Sequence, residues 1–151
     1  MRRASFAWAA AAAALVVAAG PAVAEQSGGA EHGMPGTGQI LPHPGPDGLI
    51  WIPDWIGDGG AVTGGASAYG PPVTVTVGCQ GGSGGAGEVH VSYRASYGDA
   101  TPVEFTVACP ADAVGRGSAV VTAEQGRSFS VGVTASAPDV HWGLTVTQPD
   151  F

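Results

Sequence analysis

Apolar and polar residues alternate with a period of two through the second half of the chain. Val73-Thr74-Val75-Thr76-Val77 is the clearest run, and period two marks a strand with one buried face. The pattern recurs. Val89, Val91 and Tyr93 share a face, and so do Val103, Phe105, Val107 and Cys109. A shorter run covers 118–123, Phe129, Val131 and Val133 follow, and Val140, Trp142, Leu144 and Val146 close the series. Gly, Pro, Ser and Asp gather in the intervals 81–87, 96–102, 110–117, 124–126 and 135–139. No stretch carries helical periodicity. The runs therefore predict an all-β fold: a small antiparallel sandwich or partly open barrel of about six to seven strands over 73–151. Thr, Ser, His and Arg hold the alternate positions, as a wet outer face requires.

Residues 25–72 read differently. Gly33-Met34-Pro35-Gly36 and Pro42-His43-Pro44-Gly45-Pro46 cannot hold a helix, and their prolines remove sheet donors. Such composition buries too little to offset chain entropy and predicts a linker. One segment inside it, 49–56, is strongly apolar: Leu49-Ile50-Trp51-Ile52-Pro53-Asp54-Trp55-Ile56. It admits two readings. It folds back as an edge strand or arm on the domain, as Pro53 suits, or it stays exposed as a hook for a partner. In the second reading Trp51, Ile52 and Trp55 are the candidate partner-binding residues.

The first 24 residues have the three parts of a secretory signal peptide. Arg2 and Arg3 precede the uncharged apolar run 6–19, and Pro21 and then Ala22-Val23-Ala24 supply a helix break and a small-residue cleavage site. The run is shorter than the ~20 residues that span a bilayer. No second span follows, so the expected location is secreted or extracellular, loosely held at the cell envelope. Cleavage leaves one domain's worth of chain. The only two cysteines, Cys79 and Cys109, end two of the inward-facing runs. An even count in an oxidising compartment predicts a disulfide between them.

Charge narrows the partners. There is no lysine, and the part after residue 24 keeps three arginines against twelve carboxylates, a net −9. Such a surface repels nucleic acid and anionic lipid. A protein or a cell-wall polymer remains the expected partner class.

Candidate chemistry is sparse, and no motif calls for a cofactor. Gly81-Gly82-Ser83-Gly84-Gly85 matches G-x-S-x-G, and Gly82–Gly87 matches G-x-G-x-x-G. The first needs a strand-to-helix turn and the second a helix start. Neither is predicted here, so 81–87 reads as a hairpin loop. His90 and His141 each lie in a strand and point outward by alternation. If those strands are neighbours, the pair could ligate zinc or copper, with Asp139 or Glu88 completing the set. His32 and His43 lie in the linker. Tyr93, Tyr97 and Trp142 are candidates for a sugar-binding strip, although Tyr93 and Trp142 suit the core better.

Three strings together resemble a known class: Val75-Thr76-Val77-Gly78-Cys79-Gln80-Gly81, Phe105-Thr106-Val107-Ala108-Cys109-Pro110, and 135–146 with its late Trp142. The class is that of small secreted or lipid-anchored two-cysteine β-sandwich proteins of actinomycetes, mostly of unknown function. The resemblance covers 73–148 and implies a fold and a location, but no activity. The chain lacks the lipidation cysteine of the anchored members. The expected function is a secreted, non-enzymatic binding or structural module. The alternative is a secreted metal-binding protein or enzyme that uses His90 and His141.

Overall fold

The six alternating runs form six strands with their apolar positions turned inward, except that Val120 of the fourth faces out. The computed structural model describes residues 33–63, 71–96, 101–121 and 128–149. The runs are β4 (Val73–Gln80), β5 (Gly87–Ala95), β6 (Val103–Cys109), β7 (Gly115–Val121), β8 (Phe129–Ala135) and β9 (His141–Thr147). Three more strands precede them: β1 (Met34–Pro35), β2 (Gly48–Ile56) and β3 (Gly59–Thr63). The predicted signal peptide lies outside the described residues, as do His32 and Tyr97.

All pairings are antiparallel. One sheet has the order β1-β2-β9-β4-β7 and the other β3-β8-β5-β6, and the two do not close into a barrel. The pairs are nested: β2 with β9, β3 with β8, β4 with β7, β5 with β6. One long antiparallel ribbon folded over itself in this way is a jelly roll. The fold class is as expected, with nine strands among the described residues rather than six or seven. The extra three lie in the stretch whose composition reads as linker.

Two local expectations change. The 81–87 loop is no hairpin, because it carries the chain from β4 in one sheet to β5 in the other. Alternation identifies a strand but not its partner, and nested pairing separates neighbours in sequence. The 49–56 segment is the larger part of β2, an interior strand with only the two-residue β1 beyond it. Ile50, Ile52 and Trp55 turn into the molecule and pack on the core. Gly57, at a positive φ of 76°, then turns the chain toward the second sheet. The indoles of Trp142 and Trp55 donate to the Gly57 and Asp58 carbonyls, at 2.6 and 3.0 Å.

Valines of β4, β5 and β8 fill the core with Trp142, Leu144 and Val146. Tyr93 and Phe129 stack 5.0 Å apart among them. Cys79 of β4 and Cys109 of β6 form the expected disulfide, fully buried, which joins the two sheets.

Residues 36–43 cover the outer face of the five-stranded sheet over β2, β9 and the end of β4, and leave β7 exposed. Gly78 and Gly143 are register partners on β4 and β9. A Cβ at Gly78 would stand 2.9 Å from the Leu41 side chain, and one at Gly143 would stand 3.1 Å from Ile40. The glycine pair is thus a notch that receives Ile40 and Leu41. Leu41 is buried, worth ~1.5–3 kcal/mol for its side chain. The Ile40 N–H donates to Pro53 O at 2.7 Å, and the Trp51 indole donates to Leu41 O at 3.2 Å. This explains why β9 is buried on both faces although its sequence alternates.

Candidate functional site

Two polar regions stand out from the scaffold. The first starts at a bulge. The register of β2 against β9 shifts between Ile52 and Trp55, leaving Pro53 and Asp54 out of the ladder. Pro53 has no N–H to lose there, and a bulge re-aims the side chain it carries. Asp54 is turned to the arm and is 4% exposed. Its carboxylate accepts the Gly38 N–H at 2.8 Å and meets His141 Nδ1 at 3.0 Å. An ionised carboxylate only accepts, so the network assigns the proton of His141 to Nδ1. Nε2 is then the nitrogen left for a ligand.

His141 begins β9 opposite Gln80, the last residue of β4. With Gly81, Gly82, Ser83 and Asp139 these two line an open depression of about 420 Å³. The Asp139 carboxylate accepts both the backbone N–H and the hydroxyl of Ser83, the N–H at 2.7 Å. These bonds hold its pKa below the ordinary carboxylate value, with His141 adding a smaller electrostatic push in the same direction. Gln80 donates its amide to Ala111 O at 3.2 Å.

The second region is the outer face of the four-stranded sheet. A shallow trough of about 360 Å³ crosses it, with Gly60 and Gly132 in its lining and Val62, His90, Ser92 and Arg94 beside them. Val62 is 75% exposed. Glu104 stands next to His90 at 3.7 Å and Arg94 at 4.0 Å, all of them well exposed. Such pairs contribute little to stability.

The expected site residues distribute as follows. Cys79 and Cys109 are bonded to each other. Ile52 and Trp55 face the core, where Trp55 lies 6.3 Å from Trp142. Trp51 sits opposite Thr145 on the outer face, 38% exposed, and His43 meets its ring edge-on at 4.7 Å. His90 and His141 are on strands of different sheets, so the strand adjacency that a shared metal site requires is not there. Among the described residues no three His, Cys, Asp or Glu side chains gather around a point. Tyr93 and Trp142 belong to the core.

Sequence reasoning missed Asp54, Gln80 and the Ser83–Asp139 contact. A lone carboxylate inside the apolar run 49–56 was the one signal available, since such a charge is buried only when it has partners. Comparison with protein-family models, curated proteins and solved structures gives no match.

Proposed function

We propose that this protein is an exported, non-enzymatic β-sandwich module that binds a partner protein outside the cell. In this reading the outer face of the four-stranded sheet is the binding surface. The trough over Gly132 carries the proposal. The arm does not reach this face, which combines the exposed apolar Val62 with the polar groups of His90, Ser92 and Arg94. An apolar patch rimmed by polar groups is what a partner protein uses. The described face presents no aromatic ring on which a sugar could stack, which favours protein over cell-wall polymer. The apolar leader and the buried disulfide support export.

Gly132 supplies the test. A Cβ added there meets nothing within 4 Å, so Gly132→Tyr fills the trough without disturbing the fold. The variant is expected to melt as the parent does and to lose the protein captured from culture medium by the immobilised parent. Undiminished capture by Gly132→Tyr would move the binding surface elsewhere. Capture of cell-wall polymer alone would replace the partner class.

A further inference from the structure

We propose that the depression formed by Gln80, Ser83, Asp139 and His141 is a binding site for a primary ammonium group. The site lies at the end of the five-stranded sheet, away from the trough, so either proposal can fail without the other.

The wall consists of acceptors. Ser83 binds Asp139 through Oδ2 alone, so Oδ1 carries no bond from Ser83. The amide nitrogen of Gln80 is committed to Ala111 O, which leaves its Oε1 open. His141 Nδ1 is committed to Asp54, which leaves Nε2 open, and as an acceptor when the ring is neutral. No Lys or Arg lines the depression. An anion would meet the Asp139 charge with only the His141 imidazole to offset it. A metal ion would find one imidazole and one carboxylate, fewer donors than a closed site uses. An ammonium group brings three donors and one positive charge, the complement of three acceptors and one carboxylate. The net charge of −7 on the chain adds a general attraction.

The acceptors are also held in place before any ligand arrives. Two bonds from Ser83 fix Asp139, and the nearly buried Asp54 fixes the His141 ring. A ligand therefore does not have to order them, which is the usual cost of binding at a surface. A Cβ on Gly82 would collide with the Asp139 carboxylate, so glycine at that position is part of the site.

An ammonium group can come from a lysine side chain or from an amino sugar. The test titrates the purified protein with a capped Gly-Lys-Gly peptide and, separately, with glucosamine. The acetyl-lysine peptide and N-acetylglucosamine serve as uncharged controls. Resonances of the His141 ring and the 81–83 amides report occupancy. Saturable shifts are expected with at least one charged probe and with neither acetylated control, and the tighter probe identifies the source. Asp139→Asn keeps an acceptor for Ser83 and so keeps the loop; it should weaken binding about tenfold. Gln80→Ala removes one of the three acceptors and should weaken binding severalfold. Equal shifts from the acetylated controls, or undiminished affinity in Asp139→Asn with the fold intact, would overturn the assignment.

Discussion

Asp54 carries a charge into a place that its neighbours make apolar, and its partners come from two parts of the chain, the arm and the start of β9. Its carboxylate holds Gly38 and His141, and its carbonyl accepts the Gly36 N–H at 3.0 Å. Removing the side chain leaves a part-buried N–H and an imidazole without acceptors. Asp54→Ala should therefore cost about 2–4 kcal/mol, read from denaturant unfolding. A loss below half a kcal/mol would mean that water replaces the carboxylate. Asp139 is exposed, and its effect is local. Its folded pKa lies below the ordinary 3.8 because Ser83 donates to the ionised form. The stabilisation this gives is present above that ordinary value and is lost as pH falls through the lower folded one. The Ser83 amide signal should consequently titrate on the acid side of 3.8, and in Asp139→Asn it should stay flat.

At the scale of elements, the informative contrast is between β4 and β2. Val73 to Val77 alternates strictly, and β4 follows it. Nothing in that run competes with a strand having one buried face. β2 was partly visible as the apolar run 49–56, but its surroundings pointed to a linker. Its prolines are compatible with the fold because Pro42 sits in the arm, Pro44 and Pro46 in the turn before β2, and Pro53 in the bulge, where no ladder donor is needed. The arm was invisible for a different reason. Its docking depends on two glycines brought side by side by strand register, Gly78 and Gly143, and a sequence does not display a register between distant strands. The ammonium site was hidden in the same way, since Asp54, Ser83 and His141 are brought together only by the pairing of β2, β4 and β9. The notch can be tested directly. Gly78→Val should push Leu41 and Ile40 out and cost about 1–3 kcal/mol. Hydrogen exchange should show lost protection at the Ile40 amide while the amides of β5 and β8 keep theirs. Unchanged protection at Ile40 would show that the arm is held without the notch.

For the whole molecule, the two sheets meet through side chains and one covalent bond. Cys79 and Cys109 were readable as a pair because they are alone in the chain. Which sheets they would join was not readable, since that follows from the nested order of strands. The bond closes a loop with a sequence separation of 30. The chain-entropy account gives about 3–4 kcal/mol for such a loop. Replacing both cysteines by serine should lower the unfolding free energy by that amount, measured with denaturant, and the parent under reducing conditions should approach the same value. A double variant as stable as the parent would place the stability in the valine core instead.

The nesting of strands also bears on the order in which the parts can come together. A chain emerging with its N-terminus first presents β2 and β4 long before β9, the strand that lies between them; Gly57 and Trp142, joined by a hydrogen bond, are 85 residues apart. Neither β2 nor β4 can find the other in the meantime, because the gap between them is one strand wide. The thiols of Cys79 and Cys109, by contrast, are both present before β8 and β9 appear. The topology thus leaves room for oxidation to tie β4 to β6 while the five-stranded sheet is still open, with β9 as the keystone that closes it.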